Sequence, residues 1–322
     1  MFDADPSLED ADVAAALYEL GAPDLPPPTC VRLEPTRDAE IRVWTIQAKG
    51  VALRMKVAAT ELSAARLRRG ARLLPLLATR GVRVPEPLSV VERPGGAPVT
   101  VALERRLGTA NAAVGWPILG APGRIAFAEA LARALLALHA SAGAWQALAS
   151  SPASPATIPW RAEIETRIGR SVALLREADV VAPEVANRVA ERLLAAARNL
   201  PERIEPALCH GAFALSAASL ERRVFAGLSD LESACLADRW FDVTAVVAAL
   251  STRADAATRR FLEVYGSVVP LPADLAARVD LYAGLVLLRM TSRAAATHAS
   301  EDRSMVRELV EAWIETEPSP LS

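Results

Sequence analysis

Lysine is nearly missing from this chain. Of its 36 lysines and arginines, only Lys49 and Lys56 are lysine. So lopsided a usage reads as the coding bias of a GC-rich genome, not as a phosphate-binding device. Cysteine and histidine are equally sparse, at three each. Cys30, Cys209 and Cys235 form no C-x-x-C pair, which argues against a structural zinc site, and an odd, sparse count suits a reducing cytoplasm. Aromatic residues make up 5% of the chain, with Trp145, Trp160, Trp240 and Trp313 too scattered for a stacking platform. They read as packing residues. Long apolar runs are absent too: "VTAVVAAL" and "AGLVLL" are far too short to span a bilayer. The first ten residues, "MFDADPSLED", are acidic, the opposite of a signal peptide. A net charge of −2 leaves no global footprint for nucleic acid or an anionic membrane. These absences predict a cytoplasmic protein with neither nucleic acid nor membrane as a partner.

What is present is a 322-residue chain, 52% hydrophobic and rich in alanine. That is enough for a sizeable core in one two-lobed domain or two ordinary ones. "SLEDADVAAALYELGAP" reads as a helix with Ser7 as N-cap and Gly21 and Pro23 as its stop. "EIRVWTIQ" and "VALRMKV" flank a Lys-Gly turn as antiparallel strands do. Residues 60–80 have helical spacing, and their "RLRRGAR" run reads as a solvated face or a partner surface. "GVRVPEPLSVVERPGGAPVTVALERRLG" returns to strands with "RPGGAP" at a hairpin tip. From about residue 120 the pattern is helical, broken by a Pro/Ser-rich loop at 150–159 and by short strands near 208–230. The fold class predicted is α+β with two lobes: residues 1–105 a small antiparallel-sheet lobe, residues 106–322 a helical lobe carrying a distinctive segment at 208–243.

That segment begins "CHGAFALSAASLERRVFAGLSDLE". With His210-Gly211, Asp230 twenty residues later, and Asp238 and Asp242 in "ADRWFDVT", it resembles the aminoglycoside phosphotransferase family, which shares the protein-kinase-like fold. "LLALHASAG", "GVRVPEPL" and "VALERRLG" resemble the family's catalytic-loop helix, helix-to-strand turn and hinge strand. The likeness covers roughly residues 30–290. It implies an ATP (or GTP) and Mg²⁺ site between the lobes near Leu103, Glu104 and Arg105, and an acceptor hydroxyl on a small molecule or peptide. By resemblance the catalytic carboxylate belongs at 212 and a metal-binding amide at 217, yet the chain has Ala212 and Ala217, "HGAFALSA" for H-G-D-x-x-x-x-N. Asp230 is the metal ligand that remains.

Other positions depart from the family as well. Period-two alternation puts Arg54 and Lys56 on one strand face as candidate phosphate contacts, Arg54 aligning better. The helix glutamate that braces the strand cation is expected where Gly70 stands, and "EPTRDAE" replaces a glycine-rich phosphate loop. His210 is expected to brace its loop, Asp242 to tie that loop to the next helix, His139 to pack, and Glu232 to face solvent or act as a second acid. The helical lobe shows no clustered acids of the kind an aminoglycoside pocket needs. Three readings follow: a natural pseudoenzyme that binds nucleotide, a small molecule or a protein partner; a phosphotransferase inactivated by a deliberate double substitution; or an active enzyme with catalysis relocated to Asp230 or Glu232.

Overall fold

The computed structural model describes residues 10–34, 40–148, 156–177, 179–251, 253–297 and 300–316. The expected Ser7 cap, most of "EPTRDAE" and most of the 150–159 loop lie outside these residues. The small lobe opens with α1 (Ala11–Gly21), capped by Asp10, whose carboxylate accepts the Asp12 N–H at 2.7 Å. Strands β1 (Cys30–Glu34), β2 (Ile41–Ala48) and β3 (Val51–Ala58) follow. The β2–β3 turn has positive φ at both Lys49 and Gly50, as a two-residue hairpin of right-handed strands requires. α2 (Glu61–Ala78) begins in a capping box in which Thr60 and Ser63 exchange side-chain and backbone hydrogen bonds. β4 (Glu86–Glu92) and β5 (Thr100–Arg105) complete an antiparallel sheet in the order β1-β2-β3-β5-β4.

β6 (Ala110–Asn111) and α3 (Ala112–Gly115) connect to the helical lobe. There α4 (Ala121–His139), α5 (Ala142–Leu148), α6 (Trp160–Glu177) and α7 (Pro183–Ala197) precede β7 (Ala207–Cys209), β8 (Ala218–Glu221), β9 (Val224–Leu228) and β10 (Cys235–Ala237). α8 (Trp240–Ser251), α9 (Asp255–Gly266), α10 (Leu275–Thr297) and α11 (Ser300–Glu315) close the fold. Among the described residues no single helix is long and apolar enough to cross a membrane. α4 and α5 pass together only as a pair bent by 46°, and the apolar face of α4 (Phe127, Leu131, Leu135) is fully inside the helical core.

The α+β class and its lobes are as the sequence implied, but the cores do not divide at Arg105. The side chains of Leu73, Leu74 and Leu77 on α2 belong to the helical core, while Trp44, Met55 and Leu103 form that of the sheet. An amphipathic helix buries whichever stripe it has. This one places its C-terminal half on the other lobe, so α2 couples the two.

Candidate active site

β3 supplies the cations. Arg54 faces Glu104 across the β3–β5 pairing and Lys56 faces Ala102, two residues apart and on one side of the strand as alternation predicts. Both reach the same acid: Glu104 accepts from Lys56 Nζ at 3.0 Å and from Arg54 Nη1 at 3.4 Å. Arg54 also bonds Glu34 of β1 at 3.0 Å and, across the cleft, Asp230 at 2.8 Å. Lys56 reaches Asp230 at 3.3 Å and makes a short contact with Glu232. Four carboxylates from both lobes thus enclose two cations.

Their mutual effects on ionisation follow from that packing. Burial pushes the Glu104 carboxyl up, and the charges of Lys56 and Arg54 only partly offset this. Burial acts on Asp230 in the same sense, but Arg54 and Lys56 outweigh it and hold that carboxyl well below the ordinary range. Arg54 and Lys56 are in turn held protonated far above neutrality, because their acids overcome desolvation.

Asp230 and Glu232 lie on the turn after β9. Asp230 adopts a left-handed conformation (φ 61°), which aspartate tolerates better than most residues. Helix α2 grips this turn. Arg66 Nη2 donates to Ser233 Oγ at 3.0 Å and Arg69 Nη2 to the Glu232 carbonyl at 3.2 Å. Between them sits Gly70, where a Cβ would stand 3.3 Å from the Glu232 Cα. The missing helix glutamate is thereby accounted for: glycine lets the turn approach, and the carboxylate that meets Lys56 comes from Glu232. The expectation that Glu232 faces solvent is corrected, its side chain being 13% exposed.

The loop at 208–217 is held from behind. The Asp242 carboxylate accepts the backbone N–H groups of His210 (2.5 Å) and Gly211 (3.1 Å) and the His139 ring at 3.2 Å. Burial would raise the Asp242 carboxyl, but the bond from His139 and the nearby ring charges bring it below its usual range. Asp242 therefore ties loop to helix as expected. His139 does more than pack, since its other nitrogen meets the Tyr265 hydroxyl at 2.7 Å. His210 braces the loop, its Nε2 donating to the Ser229 carbonyl at 2.8 Å. At Gly211 (φ 77°) a Cβ would fall 2.2 Å from the Ser233 carbonyl oxygen, so only glycine fits.

Ala217 is buried beside Ser229, whose N–H its carbonyl accepts at 2.8 Å; Ala212 is half-buried. The interlobe cavity next to Arg54 and Glu34 holds only about 20 Å³, and Ser216, Ser219 and Ser229 form its lower wall. Neither alanine is among the described residues that line it, so the methyl groups expected there are not part of this wall. The ion pairs across the cleft draw the Asp230–Glu232 turn onto β3 and occupy the space.

The expected hinge residues Leu103, Glu104 and Arg105 end the last strand of the small lobe. Leu103 and Glu104 lie in β5, paired to β3 and β4 on either side, with Leu103 in the sheet core. Arg105 is exposed against Glu86 at 2.8 Å. The chain lining the cavity is the next stretch, Arg106 and Leu107. Sequence reasoning missed Glu34 as a partner of Arg54 and placed Glu104 at the nucleotide site without its pairing to Arg54 and Lys56. The signal for Glu104 was its place opposite Arg54 once the strands are paired; for Glu34 there was none beyond strand alternation.

A triphosphate finds suitable cations here, but only by displacing carboxylates from them. For a divalent cation the donor set does not fit as it stands. Asp230 shares its oxygen between Arg54 and Lys56, and position 217 has no side-chain oxygen.

Lys56→Met is expected to lower unfolding free energy by about 2 kcal/mol, less than for a fully buried pair because Glu104 keeps Arg54 and Asp230 is a third exposed. Urea denaturation measures this, and adding Glu104→Gln should recover part of the loss.

Solved structures share this architecture. The GDP and kanamycin complex of APH(2")-IIIa superposes with a TM-score of 0.73 at 16% identity, over 93% of this chain and 97% of that one. The GDP complex of wild-type aminoglycoside 2'-phosphotransferase-IIIa gives 0.70 at 16% identity, over 95% and 98%. An Asp-to-Ala thermostable mutant of APH(4)-Ia, in ternary complex with ADP and hygromycin B, gives 0.64 at 14% identity, over 91% and 96%. No curated protein matches the sequence as a relative. The profile of the phosphotransferase enzyme family matches residues 33–282, well over half of the chain, and on that match the chain belongs to the phosphotransferase enzyme family.

Proposed function

We propose that this protein is a catalytically impaired member of its family: it binds ATP or GTP in the cleft between β3 and the Asp230–Glu232 turn, and acts by binding instead of by efficient phosphoryl transfer to a small-molecule or peptide hydroxyl. One observation carries the reading. The loop fixed by Asp242 offers neither an acid at 212 nor an amide at 217, while the remaining acids, Asp230 and Glu232, are committed to Arg54 and Lys56. In-line phosphoryl transfer depends on a group that orients the attacking oxygen and on cancelled charge. Asp230 is paired to two cations and Glu232 to one, and an acid so committed is a poor base, which disfavours relocated catalysis.

The cations support nucleotide binding. In the solved structures, variants of APH(4)-Ia carrying Asp-to-Ala or Asn-to-Ala are ternary complexes with ADP or AMP-PNP and hygromycin B. Loss of an Asp or an Asn side chain at those positions of that protein is compatible with an occupied nucleotide site. Here the phosphates must compete with four carboxylates, so affinity is weak.

Thermal shift and phosphate release test this together. Saturating ATP is expected to raise the melting temperature, since a ligand at about 100 times its Kd contributes about 2.7 kcal/mol. Phosphate release should stay at background. Turnover near the 1–100 per second typical of kinases, about, would overturn the impairment; no shift with or without Mg²⁺ would overturn nucleotide binding.

A further inference from the structure

A second, larger cavity lies outside the cleft, on the flank of α2 against β4 and α5. Its volume is about 520 Å³, within the range of small-molecule pockets. Arg68, Arg69 and Arg72 line one side; Trp145 and Leu148 of α5 line another, and Glu92 is the one acid in the wall among the described residues. Arg68, Arg69 and Arg72 of the "RLRRGAR" run are therefore part of a concave surface, on which Arg72 is exposed.

The charges in this cavity are not balanced. Glu92 is taken by Arg68, which it meets at 2.7 Å, and Glu61 holds the same guanidinium. Arg69 meets no carboxylate. It lies over the Trp145 ring at 5.1 Å, gives one N–H to the Glu232 carbonyl, and leaves its Nε buried without a partner. Arg72 is exposed and has no hydrogen-bond or ion-pair partner among the described residues. Burial outweighs the opposing influence of Cys235 and lowers the pKa of Arg69. Two uncompensated guanidinium groups thus stand beside an indole and an aliphatic wall. Guanidinium forks match phosphate and carboxylate oxygens in pairs, and an indole face takes a flat apolar body.

We propose that this cavity is a binding site for a small organic anion, a phosphate- or carboxylate-bearing molecule whose apolar body lies against Trp145 and Leu148 while its anionic group meets Arg69 and Arg72. The site is separate from the nucleotide cleft and does not depend on the functional reading above. Arg69 is the cavity residue that reaches the cleft, through its bond to the Glu232 carbonyl.

Isothermal titration of the full chain with phenyl phosphate, inorganic phosphate and benzyl alcohol tests it. Phenyl phosphate is expected to bind about tenfold or more tightly than either partial probe, because only it uses both halves of the site. Arg72→Ala should weaken it about tenfold, the effect of one charge-assisted contact, with an unchanged melting temperature because Arg72 is exposed. Trp145→Ala should also weaken it; if that variant does not fold, Arg72→Glu, which should abolish binding, takes its place. Excess AMP-PNP should leave the affinity for phenyl phosphate unchanged. No binding, equal affinity for inorganic phosphate, indifference to Arg72→Ala, or competition by AMP-PNP would each overturn the proposal.

Discussion

Replacing Ala212 by Asp and Ala217 by Asn together is expected to raise nucleotide-dependent phosphate release by about 10²–10⁴-fold, the range a positioned general base contributes. The scaffold for this gain is already built. Asp242 pins the backbone of His210 and Gly211, His210 is anchored to the Ser229 carbonyl, and the Ala217 carbonyl accepts from Ser229 next to Asp230. What the loop lacks is two functional groups, not its conformation. An acid at 212 supplies the missing acceptor for the hydroxyl proton, and an amide at 217 supplies an oxygen beside Asp230.

Each single substitution should give far less than the pair, because groups that act as a unit are not additive. Asp230→Asn in the doubly substituted chain should return the rate to background. Single-turnover and steady-state release with GTP and ATP measure all three. If the doubly substituted chain folds, binds nucleotide and shows no gain, the loop does not stand where the family likeness puts it, and the proposed function loses its support.

Asp242→Ala is expected to cost about 4 kcal/mol, the largest stability effect of any single change considered, and a large fraction of the stability of an ordinary domain. Asp242 is fully buried, and its removal leaves the His210 and Gly211 N–H groups and a His139 nitrogen without their acceptor. Each such orphan costs about 1–3 kcal/mol. Asp242→Asn keeps an acceptor and should cost less. Urea midpoints give the difference, and hydrogen exchange should rise first at residues 210 and 211.

The same carboxylate sets a pH dependence. Its folded pKa lies below the unfolded value, so its contribution is complete above an unfolded pKa of about 3.9 and is lost as pH falls through the folded value. The gap between the parent protein and Asp242→Ala is therefore expected to be constant from pH 5 to 7, about, and to narrow below about 4. A gap that stays constant to pH 2, about, would mean that the carboxylate charge contributes nothing.

Much of the architecture could be read before any coordinates. A Lys-Gly pair between alternating runs gave the β2–β3 hairpin, and helical spacing over residues 60–80 gave α2. Local signals of this kind depend on neighbours within four residues, and a sequence displays them directly. The N-cap of α1 was misplaced by three residues because Ser7 and Asp10 are chemically equivalent caps; Asp10 has the bond. The alanines at 212 and 217 drew notice because the flanking His-Gly and the spacing to Asp230 are short-range patterns.

The pairing of charges was not visible. Lys56 meets Glu232 and Arg54 meets Asp230 across a separation of 176 residues, and no period in the sequence links them. Gly70 looked like a lost brace, and only packing shows the Glu232 backbone against it. Composition and local spacing thus determined the elements and the two lobes. Which acid neutralises which cation, and how little room the cleft keeps, was decided when the lobes closed. Coulomb attraction between buried groups depends on distance in space, and only the tertiary structure sets that distance.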